Sequence, residues 1–317
     1  MNLACADQIA KAVLYEGYML YPYRPSSVKN RQRFNFGMLY PPSYGEAHEE
    51  ASSILTECLI EAQANPILEV RFRFLHLRPQ SGGSDATKNG WQVAVEREVG
   101  IPAQTIQSFG PGVKTFPFAF AASEASSSTA NDAARQEQIK GSVDVEILPL
   151  SSQVFKVRVR ARNTTPTETP VLDRAEALMR SLISAHVVLG VEQGEFVSLL
   201  EPAENLQPLA ATCQNVGVWP VLVGEPGQRD TLLASPIILY DYPQIAPESA
   251  GDLFDGTEID EILSLRILAL TDEEKREVRE SDERARRILE RTEAMPAEQF
   301  VKLHGAVRGL RPLKETS

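Results

Sequence analysis

The stretch ILEVRFRFLHLR, residues 67–78, decides the fold class. Leu68, Val70, Phe72 and Phe74 alternate with Glu69, Arg71 and Arg73. Successive side chains of a strand point to opposite faces, so the pattern predicts one buried face and one charged, wet face. The alternation slips at Leu75. Residues 53–62 form an apolar run just upstream, and Asn65-Pro66 reads as the turn of a hairpin between the two. The pattern returns downstream. Val143, Val145 and Ile147, then Phe155, Val157 and Val159, alternate with polar and charged neighbours that include Arg158, Arg160 and Arg162. Residues 139–150 and 153–163 therefore predict a second hairpin, again with an arginine-bearing second strand. Two such units predict a sandwich-like antiparallel body.

Around these units the chain divides by composition and period. Residues 13–23, VLYEGYMLYPY, are rich in tyrosine and read as a strand. Residues 91–99 and 232–242 read as strands too. Residues 79–90 are a loop by composition, and the Ser/Ala-rich stretch 121–135 is expected as a flexible loop inside the body. In residues 169–184 the period becomes helical, with Leu172, Ala175, Leu178, Met179 and Leu182 on one face. Residues 258–268 predict a helix that turns Ile259, Ile262, Leu263 and Ile267 inward. Residues 271–295 predict a single long helix, opened by the Thr271–Glu274 capping box and carrying a thin apolar stripe of Val278, Ala285, Ile288 and Leu289. The fold class expected is α+β: a mainly antiparallel β body over residues 1–249 and a helical, charged C-terminal region over 250–317.

The 317 residues carry a formal net charge of −11. That balance disfavours nucleic acid, whose binding rests on neutralising phosphates, and a basic membrane-surface role. No apolar run reaches the roughly 20 residues of a spanning helix. The N-terminal sequence lacks the basic and apolar regions of a signal peptide. Cys5, Cys58 and Cys213 are odd in number and far apart, which fits a reducing cytoplasm better than a disulfide framework. No phosphate-binding loop, dinucleotide fingerprint, nucleophile elbow or paired-histidine zinc motif is written in the chain, so no cofactor is expected.

Three features are candidates for a site. Arg24, Lys29, Arg31 and Arg33 form a basic segment beside aromatic residues, suited to an acidic surface in a partner or in this chain. Asp252, Asp255, Glu258, Asp260 and Glu261 crowd five carboxylates into ten positions. Such hard oxygen ligands suit a divalent metal, an acidic docking surface or the start of a helix, but the spacing is not that of a calcium-binding loop. His186 and Cys213 are further candidate ligands or reactive groups. Their blander readings are a buried histidine held by a backbone partner and a small core thiol.

Three stretches together, LYEGYMLYPYRPSSVKNRQRFNFG (14–37), CQNVGVWPVLVG (213–224) and SPIILYDYPQIAPESAGDLFDGTEIDEILSLRILALTDEEKRE (235–277), resemble uncharacterised bacterial proteins encoded beside nickel–iron hydrogenase genes. The likeness runs from near residue 13 to near residue 292. It implies a cytoplasmic, non-enzymatic accessory, assembly or interaction protein whose partner is a hydrogenase subunit or maturation factor. It carries over no functional residue. Two alternatives stand beside it. One is a metal-dependent hydrolase built on Asp252, Asp255 and Glu258 with His186 or Cys213. The other is a ligand-binding β-sandwich lined by tyrosine and arginine.

Overall fold

The structure is a computed structural model that describes residues 3–24, 26–31, 33–63, 65–79, 92–124, 135–167, 173–244, 260–281 and 283–296. It divides into two compact units, one of Met1–Tyr18 with Phe34–Gln244, the other of Met19–Arg33 with Ile245–Ser317. The first unit begins with helices α1 (Leu3–Tyr15) and α2 (Pro42–His48). Strands β1 (Ser53–Glu61), β2 (Ile67–Pro79), β3 (Gln92–Thr105), β4 (Val113–Phe120), β5 (Ser123–Glu124), β6 (Arg135–Gln136), β7 (Ile139–Pro149) and β8 (Val154–Asn163) follow. Helix α3 (Arg174–Met179), strands β9 (Ile183–Glu192) and β10 (Glu195–Val197), helix α4 (Gln207–Ala210), and strands β11 (Trp219–Leu222) and β12 (Thr231–Ser235) complete it. The second unit contains α5 (Asp260–Leu268), α6 (Asp272–Ser281) and α7 (Glu283–Glu293). No helix among the described residues is long and apolar enough to cross a membrane.

Two five-stranded antiparallel sheets form the first unit, in the orders β10-β1-β8-β7-β4 and β11-β12-β9-β2-β3. The expected α+β class with a sandwich-like antiparallel body is what is found. Alternate residues of each strand meet between the sheets: Ile54, Cys58 and Ile60 from β1, Val157 and Val159 from β8, and Val70, Phe72 and Phe74 from β2. Stacked sheets lie about 10 Å apart, a gap these side chains fill.

The second expected hairpin forms as read, with β7 and β8 paired from Gly141–Asn163 to Pro149–Phe155. The first does not. β1 pairs with β8 and β10, whereas β2 pairs with β3 and β9. Asn65-Pro66 thus carries the chain from one sheet to the other instead of folding it back. Alternation specifies which face of a strand is buried, and both arrangements bury the same one.

Residues 13–23, read as a strand, instead continue a helix to Tyr15 and then turn. Ala6, Ile9, Ala10 and Val13 fall at helical spacing and pack with Val188, Val221, Val223 and Leu233 on the outer face of the second sheet. Asp7 anchors the same helix to Arg73, at 2.8 Å. Helix α3 covers only Arg174–Met179, capped by Asp173, whose Oδ1 accepts from the Glu176 amide at 2.8 Å. The last strand stops at Ser235, where Pro236 follows. The Ser/Ala-rich stretch lies mostly outside the described residues, and β5 and β6 form a short ladder on either side of it.

In the second unit the long helix is two. α6 and α7 fold against each other, with Lys275 and Arg279 both reaching Glu293 at 3.2 and 2.7 Å. The capping box forms: the Thr271 amide donates to Glu274 Oε2 at 2.9 Å, and the Glu274 amide donates to Thr271 Oγ1 at 3.3 Å. The thin stripe of Val278, Ala285, Ile288 and Leu289 is fully buried.

One irregularity in β9 organises the first unit. Arg73 lies opposite His186 and Leu75 opposite Ile183, so Phe74 faces two residues, Ser184 and Ala185. This is a β-bulge on β9; β2 itself stays in regular register with β3, so Leu75 is an apolar residue on the same face as Arg73. Ser184 takes φ 53°, rare for a residue with a Cβ. Its amide donates to Phe36 O at 3.2 Å, and its hydroxyl donates to Val13 O at 3.0 Å, near the end of α1. The Ser184→Val variant adds a β-branched side chain at positive φ and removes that hydroxyl, so a loss of roughly 2–4 kcal/mol is expected. Ser184→Gly relieves the backbone and should lose about 1 kcal/mol. Urea unfolding of the two variants, ordered this way, checks the bulge; equal losses would contradict it.

Candidate functional site

The basic segment belongs to the second unit. Arg24 pairs with Glu274 at 2.9 Å and Glu277 at 3.7 Å on α6, and the Ser26 amide donates to Glu277 at 3.1 Å. Asn30 is buried and fixes the turn: its Oδ1 accepts from the Leu20 amide, and its Nδ2 donates to Leu20 O, both at 2.8 Å. Arg33 is buried, Lys29 is exposed, and Arg31 ends a short 3-10 turn. Arg24 is therefore already committed to this chain's own acids. Asp252, Asp255 and Glu258 lie outside the described residues.

His186 and Cys213 are kept apart. β9 sends Ala185 and Val187 into the space between the sheets, so His186 points outward on the face that α1 covers. It is fully buried, and its Nδ1–H donates to Ser184 O at 2.8 Å. Its Nε2 has no hydrogen-bond partner among the described residues. Burial, helped by the Arg73 charge and opposed by the Ser184 carbonyl, lowers its pKa to about 4. Cys213 packs half-buried with Leu59, Val154, Val197 and Leu206 on the outer face of the other sheet. Burial pushes its thiol up to about 11, against the opposing charge of Lys156. The filled core of two sheets separates the two side chains, so one ion cannot take both as ligands. Among the described residues no three His, Cys, Asp or Glu side chains gather as metal ligands.

His76 is fully buried, and burial followed by the Arg97 charge lowers its pKa to about 4 as well. β2 keeps its register with β3 from Val70 to Pro79, so His76 lies on the same face as Phe72 and Phe74, which face the core.

The outer face of the first sheet carries a charge ladder. Glu57 stands opposite Arg158, which stands opposite Glu146. Arg158 bridges the two carboxylates at 2.6 and 2.7 Å. The Gln214 amide donates to Glu57 at 2.8 Å, and Lys156 lies 3.5 Å away. Burial by itself would raise the Glu57 carboxyl, but these donors and charges outweigh it and hold the group below its ordinary value. Arg162 pairs with Asp144 one row further along. The arginines of the second hairpin, read only as a wet face, are thus mostly spent on neutralising a buried carboxylate and its neighbours.

A different surface emerges at the β11 edge of the second sheet, where parts of the three stretches quoted above meet. Trp219 pairs with Ser235 across β11 and β12. The Tyr242 amide donates to Leu222 O at 2.7 Å, and Asp241 accepts from the Leu222 amide at 2.8 Å. Gly37, at φ 55°, lies so close to Pro236 that a Cβ would stand 2.8 Å from its ring. Pro220 and the Asp241–Tyr242 contacts block the free edge of β11 against further strand pairing. What the edge presents instead is apolar side chain. Ile237 and Leu239 turn into the cluster beneath α1, while Ile238 and Tyr240 turn out. Trp219, Ile238 and Tyr240 are 42, 73 and 85 % exposed. Apolar alternation in 236–242 was legible as strand-like, but which side faced solvent was not.

No family model matches the chain, and no curated protein matches it.

The histidines set a pH dependence. A group whose pKa falls from about 6.5 to about 4 on folding binds its proton more weakly in the native state, so stability is full above pH 6.5 and declines toward pH 4. Each is expected to remove about 3 kcal/mol across that window. Chemical unfolding between pH 7 and 4.5 should show the decline, with His186→Gln reducing its slope by about half; an unchanged slope would show that His186 titrates normally.

Proposed function

We propose that this chain is a non-enzymatic accessory or interaction protein of a nickel–iron hydrogenase system, acting in the cytoplasm on a protein partner. The exposed apolar edge formed by Trp219, Ile238 and Tyr240 supports the interaction role. Large apolar side chains in water cost free energy that a partner recovers, and Trp and Tyr are the residues that most often anchor protein interfaces. The edge is built from segments that carry the resemblance to hydrogenase-associated proteins, and that resemblance supports the choice of system. Its blocked backbone favours a contact made through side chains over one made by strand addition. The net charge of −11 disfavours nucleic acid as the partner.

Affinity purification of the full chain from its native host, read by mass spectrometry, should return a hydrogenase subunit or a maturation factor. The double variant Trp219→Ser, Tyr240→Ser is expected to lower that recovery at least tenfold, since interface aromatics of this kind commonly contribute about 2 kcal/mol each. Circular dichroism should be unchanged, because both side chains are already exposed. Repeated recovery of neither component would overturn the hydrogenase context. Equal recovery by the double variant would move the contact to another surface.

A further inference from the structure

The core-facing side of β2 and β3 turns from apolar to basic along its length. Phe72 and Phe74 face the other sheet, and alternation carries His76 and Arg78 onto the same side of β2. Arg97 stands directly opposite Phe74 on β3, so it shares that side. Three nitrogen-bearing side chains thus gather at one end of the sandwich, and two of them are permanently charged.

Their neighbours do not satisfy them. Arg97 donates through Nη2 to Gln136 Oε1 at 3.0 Å and lies over the Phe120 ring, 4.7 Å from its centroid. Gln136 is itself buried and spends its amide nitrogen on His76 O at 3.4 Å. The Nε atoms of Arg78 and Arg97 and both ring nitrogens of His76 are buried without a hydrogen-bond partner. Backbone groups of Met179 and Glu137 lie near the imidazole without bonding it in hydrogen-bond geometry. The Glu137 carboxylate is committed to Arg180, at 3.1 Å. A buried donor left unbonded costs the desolvation of its group, and the cost is larger on a cation. Two guanidiniums on one face without a counter-charge raise it further. An oxyanion removes both penalties at once, since it accepts from several N–H groups and neutralises charge. The planar fork of arginine fits carboxylate and phosphate groups alike.

We propose that His76, Arg78 and Arg97 form a binding site for a small oxyanion, the phosphate or carboxylate group of a ligand, at this end of the sandwich. The arginines supply Nε–H donors and charge, and the imidazole supplies a further N–H. Gln136 acts as a positioning residue that holds the Arg97 guanidinium. The site is separate from the apolar β11 edge and independent of the hydrogenase reading.

Thermal unfolding of the full-length protein at pH 7 tests it, with sodium phosphate or sodium acetate added and ionic strength held constant with sodium chloride. One salt or both should raise the midpoint saturably, by about 3 °C at ten times the dissociation constant. A response to phosphate alone assigns a phosphoryl ligand; a response to acetate assigns a carboxylate. Phosphate also stabilises proteins by exclusion from their surface, so the comparison with Arg78→Met and Arg97→Met decides. Both variants should lose the saturable part of the response. In NMR spectra the His76 ring signal, identified by its absence in His76→Gln, should shift along the same saturation curve. No saturable response to either salt, or the same response in both methionine variants, overturns the proposal.

Discussion

The bulge at Ser184 is the constraint from which much of the first unit follows. It sits on β9, the middle strand of the second sheet, and its four contacts reach three separate parts of the chain. The Ser184 amide holds Phe36, the Ala185 amide holds Gly37 at 2.9 Å, the Ser184 hydroxyl holds the end of α1, and the Ser184 carbonyl holds His186. A bulge increases local twist and re-aims side chains, at the cost of one residue in an unfavourable backbone region. Here that cost is offset by hydrogen bonds to backbone groups of α1 and of the 36–37 stretch. Gly37 then has its place against Pro236, and through it the apolar edge has its shape.

The two sheets solve the same problem differently on their outer faces. The second sheet is covered by α1, and its outer arginines, Arg71 and Arg73, are satisfied by Glu69, Asp7 and Glu98. The first sheet leaves its charges in a ladder across β1, β8 and β7, with Glu57 buried at one end. Breaking such a buried pair strands a charge in a medium that screens it poorly, so these residues specify strand register as well as contributing to stability. The ladder is consequently a structural feature before it is a recognition surface. The same holds for Arg24, whose charge is satisfied on α6.

What the surface leaves available to a protein partner is apolar. The β11 edge presents Trp219, Ile238 and Tyr240 to solvent while denying its backbone to a further strand. Helix α5 presents a second apolar stripe, Ile262, Leu265 and Leu268, that its own unit leaves exposed among the described residues. Both surfaces arise where a short element has more apolar residues than its single buried face can use. In an acidic protein without a local catalytic signature, these are the positions where burial by another segment returns the most free energy.

The sequence by itself determined the local grammar of the chain. Strict alternation in β2 and across β7 and β8 required strands with one dry face. Thr271 and Glu274 required a helix start. These signals are legible because strand and helix periods are properties of neighbouring residues. Tertiary structure decided the rest. It sent β1 and β2 to different sheets, because alternation names a buried face and not a hydrogen-bonding neighbour. It turned residues 3–15 into a helix, because the stripe of Ala6, Ile9, Ala10 and Val13 had a sheet face to cover. It buried His76 and His186, and it placed His186 and Cys213 on opposite sides of the core. Above all it joined Gly37, Trp219 and Pro236, which are up to 199 positions apart in the sequence, into one edge. Contacts over such separations depend on the packing of whole sheets, and no local pattern encodes them.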